Sequence, residues 1–323
     1  MAESGWNRQE SPFHLGEQGI QTRLGIRDKM ERIGRRVIRD YMPDQHRQFY
    51  QALSFLLLGT TDEQGRPWAS IVVDRPGFIT SPDPRRLNLL TQPLYGSPLQ
   101  DTLEVGAEVG VLGILLVSRR RNRLTGRFAD IRPDGFAIAI DQSFGNCPQY
   151  IQTRSVELVP DHLDLTQERL VYRSDRFDEP AQALITNADT FFIATSYCED
   201  PAAASQGADV SHRGGKPGFV KLEDHTSFIF PDFSGNLIFN TIGNLSLNPK
   251  SGYLFIDFEQ GDLLYMTGTS DIIWDGAIVD NFAGAERMIR FRAESVIRVE
   301  KSLPLRFTFG AYSPTLEGTG SWT

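Results

Sequence analysis

The chain has 323 residues, of which 40% are hydrophobic and 23% are charged, and its formal net charge is -8. This acidic balance argues against a nucleic-acid partner, which usually meets a basic face, but it is compatible with a small anion held by local positive charge. The apolar run VGVLGILLV is too short to cross a bilayer, and the first residues lack the apolar core of a signal peptide. The sequence therefore predicts a cytoplasmic protein that does not bind a membrane.

Common metal and nucleotide motifs are missing from the sequence. The two cysteines lie far apart and form no disulfide framework, and the five histidines show no metal-ligand spacing. We find no P-loop, no GxGxxG after a strand and no GxSxG elbow. These absences predict no metal site and argue against a Rossmann nucleotide site or a hydrolase elbow.

Chain order suggests four segments. Residues 1–50 form a helical segment containing RDKMERIGRRVIRDY and the start of PDQHRQFYQAL, which we expect to cover the first barrel. Residues 51–175 and 176–303 form two barrels, with further helical stretches predicted at LTQERLVYR and EPAQALITNA. Residues 304–323 form a turn-rich tail that we expect to be loose or partner-bound.

The two barrels are predicted because the sequence repeats itself. SFLLLGTTDEQGRPWASIVVDRPGFI and TFFIATSYCEDPAAASQGADVSHRGGKPGFV both place two apolar strands around a polar turn and end in Pro-Gly-Phe. Further on, a short amphipathic stretch, an apolar strand and a strand containing LTG or MTG follow in both halves. Short antiparallel strands of this kind tend to close into small barrels, which predicts a mainly β chain of two tandem barrels with peripheral helices.

A polar segment before the shared Pro-Gly-Phe distinguishes the second half from the first. DVSHRGGK supplies Ser211, His212, Arg213, Gly214 and the following Gly-Lys, where the first half has only VVDR. Arginine offers a planar fork of donors to phosphate, serine adds a hydroxyl, and glycine lets backbone amides approach an anion. The same residues are also typical of a polar hairpin turn, and His212 is compatible with either a phosphate contact or solvent.

The short helix of the second half offers a second anion-binding feature. We expect Asn236 to cap it, with Asn240, Thr241 and Asn244 at polar helical positions, because a helix N-terminus presents free amides and the positive end of a dipole. They are otherwise ordinary exposed helix residues. The corresponding helix of the first half starts at SPLQDTLE and is acidic, so that copy of the site is expected to be degenerate.

Two further segments leave alternatives open. The loop DQSFGNCPQYIQ contains Cys147, which is a nucleophile, a metal ligand or a bystander; no histidine lies close in sequence to activate it. The basic run SRRRNR, residues 118–123, has two interpretations. Its charge attracts a phosphate or an acidic partner, or it is a solvated hairpin tip, which is the interpretation we favour.

Taken together, DVSHRGGKPGFV, FSGNLIFNTIGNLSLNPKSGYLFIDFEQGD, MTGTSDIIWD and DQSFGNCPQYIQTR resemble the FMN-binding split-barrel family related to pyridoxamine 5'-phosphate oxidase, in a branch with two barrels in one chain. The resemblance implies two tandem FMN-binding split barrels with FMN between them. It implies that Ser211, Arg213, Asn240 and Thr241 hold the phosphate. It places Gln142, Asn146 and Tyr150 at the flavin ring, with Cys147 nearby as a small residue and not as a nucleophile.

The same resemblance suggests a flavin-dependent oxidoreductase of unknown substrate, supplied with electrons by NADH, NADPH or a separate reductase, and it is compatible with a homodimer. The residues that a vitamin B6 oxidase uses for its substrate are not recognisable. Two alternatives remain: a haem-handling split barrel with His212 as the axial ligand, and a flavin-binding module without turnover.

Overall fold

Seventeen strands and six α-helices make up the computed structural model, which describes residues 5–159, 163–165 and 167–322. The helices are α1 (Leu15–Arg23), α2 (Arg27–Val37), α3 (Asp44–Gln51), α4 (Glu179–Asn187), α5 (Asn240–Leu247) and α6 (Ala277–Asp280). The strands are β1 (Phe55–Thr61), β2 (Pro67–Val73), β3 (Ile79–Thr80), β4 (Arg86–Leu89), β5 (Glu108–Leu115), β6 (Arg120–Arg132), β7 (Gly135–Asn146), β8 (Arg154–Leu158), β9 (Val171–Ser174), β10 (Thr190–Tyr197), β11 (Gly207–Gly214), β12 (Lys221–Leu222), β13 (Ser227–Phe233), β14 (Lys250–Ile256), β15 (Leu263–Ile273), β16 (Ala285–Val299) and β17 (Leu305–Phe309).

Two antiparallel sheets share one strand order. The first sheet runs β2-β1-β5-β6-β7-β4-β3, and the second runs β11-β10-β14-β15-β16-β13-β12, with β9 added beside β16. Each strand of the first sheet thus has a counterpart at the same place in the second. The predicted fold class, a mainly β chain of two split barrels with peripheral helices, is confirmed.

The central strands are apolar on both faces because each face meets a different core. In β1, Leu56 and Leu58 point into the core of the first sheet, whereas Leu57 joins a core between the two halves. In β10, Ile193 faces the core of the second sheet and Phe192 faces the shared core. Strands covered on both sides show continuous apolar runs in place of alternation, which explains SFLLLG and TFFIA in the sequence.

The helices depart from the sequence predictions in two places. α2, α3 and α4 lie where helices were predicted, but α1 packs against α5 of the second half, so the N-terminal helices do not only cover the first barrel. The helix predicted at 165–173 is wrong for its described residues, since Val171–Ser174 forms β9 and pairs with β16. β-branched and aromatic residues in LVYR suit a strand at a sheet edge.

The last residues are not loose. β17 pairs with β8, and the Trp322 indole NH donates to the Phe219 carbonyl at 3.0 Å. The four segment boundaries given by the sequence stay predictions. In the described part of the chain, no helix has the length and apolar character that crossing a membrane requires.

Candidate functional site

A cleft opens where the two halves meet. The first half contributes the start of β6 and the loop after β7, and the second contributes the end of β11, the segment 231–239 and the first residues of α5. Among its lining residues are nine that the sequence proposed: Asn146, Tyr150, Ser211, His212, Arg213, Gly214, Asn236, Asn240 and Thr241. The structure thus brings together residues that are up to 95 positions apart in sequence.

Two arginines from the first half line this cleft. The chain leaves a short 3-10 turn at Leu116–Ser118 and enters β6 at Arg120, so residues 120–123 are strand residues. Arg121 and Arg123 share one face of β6 and line the cleft, whereas Arg120 lies over the Phe49 ring on α3. The prediction of a solvated hairpin tip was therefore wrong for Arg121 and Arg123.

Arg123 is the centre of a buried polar network. The residue is 6% exposed, its side chain pairs with the Asp209 carboxylate, and its Nη1 donates to the Asn240 Oδ1 at 3.2 Å. The Thr241 hydroxyl donates to the Ser211 hydroxyl at 2.9 Å, and the Ser211 hydroxyl contacts Asp209 at 3.3 Å. Burial, together with repulsion from Arg121 and Arg213, lowers the pKa of Arg123 to about 9.

Arg121 fixes the tautomer of His212. Its Nη1 lies 3.4 Å from the His212 Nδ1, and because arginine only donates, Nδ1 must accept and the neutral ring carries its proton on Nε2. That Nε2 is buried and has no hydrogen-bond partner among the residues that the structure describes. Burial and the charges of Arg121 and Arg213 hold the pKa of His212 well below its usual value, so the ring is neutral. The histidine therefore offers the cleft a neutral donor.

Arg121 itself has no carboxylate partner in the described part of the chain. Its Nε donates to the Cys147 carbonyl at 2.7 Å. Burial and repulsion from Arg213 lower its pKa to about 10, which still leaves it charged at neutral pH. The donors of such an arginine have the geometry and charge that suit an anion.

A second group of charged residues in the cleft is balanced in charge. Arg213 Nη2 lies 3.5 Å from the Asp232 carboxylate, and Arg287 Nη1 donates to the same carboxylate at 2.7 Å. Arg287 also donates to Glu286 at 2.6 Å. Two arginines thus face two acids here, so the excess of positive charge lies at the Arg121 end. Arg213 was predicted to hold a phosphate, and the structure shows it paired with Asp232.

The start of α5 is not capped as predicted. The helix begins at Asn240 after Phe239, which has a left-handed φ of 70°, and no side chain caps it. Asn236 lies four residues earlier; its Oδ1 accepts from the Ile238 amide at 3.1 Å, and its Nδ2 donates to Asn146. Asn236 therefore shapes the turn before the helix, and the first residues of the uncapped helix, Asn240 and Thr241, line the cleft.

The loop after β7 reaches the second half at the end of β11. The Gln152 Nε2 donates to the carbonyls of Asp189 and Gly215 at 3.3 and 3.2 Å. A Cβ at Gly214 would lie 2.0 Å from the Tyr150 carbonyl oxygen, so glycine is required there for the approach of the loop. The Tyr150 ring packs on Phe233 with a centroid distance of 5.1 Å. Partial burial and the nearby acids Glu286 and Asp232 raise the pKa of Tyr150, which keeps its phenol protonated.

Three of the sequence-proposed residues do not line the cleft. Gln142 is buried in β7, and its Nε2 donates to the Pro12 carbonyl at 2.8 Å. Cys147 is not among the cleft-lining residues, although its main-chain carbonyl accepts from Arg121. Asn244 faces the second sheet, where its Nδ2 donates to Thr195 at 3.0 Å.

Sequence reasoning missed Arg121, Arg123, Arg287 and, behind them, Glu17 of α1. For the first two, the spacing of two residues on a strand was a usable signal, because it puts both on one face. For Glu17 no local signal exists. Its contact with Asn240 depends on the packing of α1 against α5.

Comparison with known proteins gives only distant matches. No family model and no curated protein matches the sequence. HupZ from Group A Streptococcus is 18% identical over 36% of this chain and 90% of its own, with a TM-score of 0.29. A putative pyridoxamine 5'-phosphate oxidase from Lactobacillus delbrueckii is 12% identical over 38% of this chain and 94% of its own, with a TM-score of 0.30. A putative 5-nitroimidazole antibiotic resistance protein from Bacteroides thetaiotaomicron is 10% identical over 45% of this chain and 92% of its own, with a TM-score of 0.29.

Proposed function

We propose that the cleft binds FMN, with the phosphate at the Arg121 end, and that the protein is a flavin-dependent oxidoreductase. The observation that carries the proposal is Arg121, a charged cleft-lining arginine with no acid partner among the described residues, beside the unpartnered buried His212 Nε2. An arginine fork and a neutral imidazole donor suit the oxygens of a phosphate group.

Other cleft residues fit the rest of the cofactor. Arg123 and the uncapped amides of α5 add positive potential at the phosphate end. Asn146, which pairs with Arg121 across β6 and β7, and Tyr150 also line the cleft, where an amide and a protonated phenol would contact a polar ring edge. When bound, flavin supplies the two-electron redox chemistry. In this proposal the protein binds and orients it.

The cleft lies between β6 of the first half and β11 of the second. The corresponding strands with the halves exchanged are β15 and β2, and the place between them is filled by apolar side chains. Strand register equates Gly110 with Gly252, because each faces the threonine of the shared Thr-Gly pair. On this register the replacements are Leu263 for Arg121, Tyr265 for Arg123, Ile71 for His212 and Val72 for Arg213. Leu263, Tyr265 and Ile71 all belong to the core between the halves, which supports one FMN per chain.

The test is FMN binding by matched arginine variants. Arg121→Gln should weaken FMN binding by about tenfold or more, because a charge-assisted contact contributes about 1.5–3 kcal/mol. Arg120→Gln is the control: it removes an arginine from the same strand whose side chain lies over Phe49, and it should leave FMN binding unchanged. Titrations are followed by flavin fluorescence with FMN and with riboflavin, which lacks the phosphate. The difference between the two affinities separates the contribution of the phosphate to binding from that of the ring.

Equal FMN affinity of the wild type and Arg121→Gln would remove Arg121 from the site. A wild-type protein that is isolated without flavin and does not take up FMN would overturn the proposal as a whole. Reduction of bound flavin by NADH or NADPH, followed in steady state with oxygen or an organic acceptor, separates an oxidoreductase from a binding module. Reduction only by an added reductase would identify a separate protein donor.

The haem alternative is weaker on the geometry of His212. A neutral imidazole binds iron through its unprotonated nitrogen, and Arg121 occupies that nitrogen, Nδ1. Because the two halves of one chain build the cleft, a second copy is not needed to complete it. A homodimer, like the cytoplasmic location, stays a prediction.

A further inference from the structure

Helix α1, which lies outside both sheets, touches the start of the site through α5. The two helices approach so closely that a Cβ at Gly16 would lie 2.1 Å from the Gly243 carbonyl oxygen, and a Cβ at Gly243 would lie 2.6 Å from the Glu17 Cγ. Only glycine at both positions permits this distance. The result is that the Glu17 side chain, 2% exposed, lies beside the first turn of α5.

A continuous chain of hydrogen bonds runs from Glu17 to the cleft. The Asn240 Nδ2 donates to the Glu17 Oε1 at 2.7 Å, and the Asn240 Oδ1 accepts from the Arg123 Nη1 at 3.2 Å. The orientation of the amide is fixed at both ends, because a carboxylate accepts and a guanidinium only donates. Glu17 therefore determines where Asn240 holds Arg123.

We propose that Glu17 is a positioning residue of the anion site, acting through Asn240 on Arg123, and that its charge is coupled to the binding of the FMN phosphate. The inference rests on the proposed function. It adds that the N-terminal helix is part of the binding site and that the site exchanges a proton when its anion binds.

The charges around Glu17 give the sign of this coupling. Burial raises the pKa of Glu17 to about 8, although the His14 amide, Arg123, Asn240 and Arg27 all favour the carboxylate. His14 packs on the same carboxyl group, and burial lowers its pKa to about 4, so it stays neutral above that pH. Glu17 is then mostly neutral at pH 7 and mostly charged at pH 9. The charged form of Glu17 repels a phosphate bound on the other side of Arg123 and therefore weakens its binding.

The expected result is a loss of FMN affinity in the wild type as the pH rises from about 7 to 8.7. The second pKa of a phosphate monoester is about 6, so the ligand keeps its charge over this range. A unit charge several ångströms away in a medium of intermediate dielectric should weaken binding to the charged form by about tenfold, which corresponds to a loss of roughly fourfold between these two pH values because Glu17 is partly neutral over the whole range. By linkage, FMN raises the pKa of Glu17, which carbon NMR of the labelled Glu carboxyl groups measures directly.

Glu17→Gln keeps an acceptor for Asn240 but has no charge to gain. It should bind FMN at pH 7 within about twofold of the wild type and lose most of the pH dependence below the pKa of Arg123. Glu17→Ala leaves Asn240 without its acceptor and should bind several-fold more weakly at every pH. Gly243→Ala, which pushes α1 away without changing any charge, should resemble Glu17→Ala.

Glu223→Gln is the matched control, since Glu223 pairs with Arg290, and neither residue acts on Glu17 or contacts Asn240. Its FMN affinity and pH profile should equal those of the wild type. If Glu17→Gln keeps the wild-type pH profile, and FMN leaves the NMR titration of Glu17 unchanged, the inference is overturned while the FMN site stands. A wild type that binds neither FMN nor inorganic phosphate overturns both proposals.

Discussion

Asp209 stabilises Arg123 inside the protein. It lies on β11 with 5% of its surface exposed, and it is the carboxylate that pairs with the buried guanidinium. The hydroxyls of Ser211 and Thr241 also contact it, at 3.3 and 3.4 Å. Asp209 thus pairs with one of the two cleft arginines of the first half, whereas Arg121 has no carboxylate partner among the described residues.

We expect Asp209→Asn to destabilise the protein by about 3 kcal/mol, because it leaves the buried charge of Arg123 without a partner. Inorganic phosphate should raise the unfolding midpoint more in this variant than in the wild type, since a bound anion replaces part of the lost charge. Chemical unfolding with and without phosphate measures both effects.

Asp44→Asn provides the control, because Asp44 pairs with Arg47 on the surface, where such a pair contributes at most about 1 kcal/mol. Equal stability of Asp209→Asn and the wild type would mean that Arg123 is not charged in the folded protein.

Elements differ in how far the sequence determines them. Strand positions, turns and the paired halves follow from local patterns, so the fold class was predictable. The cleft was predictable only in part, because it depends on which face of a strand meets the other half. Gln142 and Asn146 both lie on β7, yet one bonds to Pro12 in the N-terminal segment and the other faces the cleft. Likewise, nothing near Glu17 in sequence indicates that α1 packs on α5.

The C-terminal segment, residues 310–322, packs beside the cleft and contacts both halves. The Lys216 Nζ donates to the Thr319 carbonyl at 2.7 Å, and the Thr315 hydroxyl accepts from the Tyr150 amide at 3.0 Å. Trp322 donates to Phe219 and packs on Phe282 with a centroid distance of 4.9 Å. The segment therefore supports two loops that line the cleft or adjoin it.

Trp322→Ala should lower the unfolding free energy by about 1–3 kcal/mol, through lost aromatic packing and an unpaired Phe219 carbonyl. Thermal denaturation measures the change. Tyr312→Ala removes an exposed ring from the same segment and should have a much smaller effect. The contacts of Trp322 do not stabilise the protein if the two variants unfold at the same temperature.

On the scale of the whole molecule, the two halves meet in equivalent ways. A Cβ at Gly110 would lie 2.6 Å from the Asp209 Cα, and a Cβ at Gly252 would lie 2.7 Å from the Trp68 Cα. Strand register makes Gly110 equivalent to Gly252 and Asp209 equivalent to Trp68. The junction is thus a two-fold arrangement within one chain, as in a symmetric dimer interface. Its two ends differ in chemistry: one end forms the arginine-lined cleft and the other is packed with apolar side chains.

This junction predicts that neither half is stable alone. Gly110→Ala and Gly252→Ala should each destabilise the protein by about 2 kcal/mol or more, because the added methyl group meets main-chain atoms that cannot rotate away. Gly145→Ala is the control, since a Cβ there would lie 3.7 Å from its nearest neighbour, the Asn122 Oδ1. Unfolding followed through the NMR signals of Phe128 in the core of the first half and Tyr253 in the core of the second should show one shared midpoint that both junction variants lower together. Separate midpoints, with only one half affected by each variant, would show that the halves fold independently and that the cleft between them is assembled afterwards.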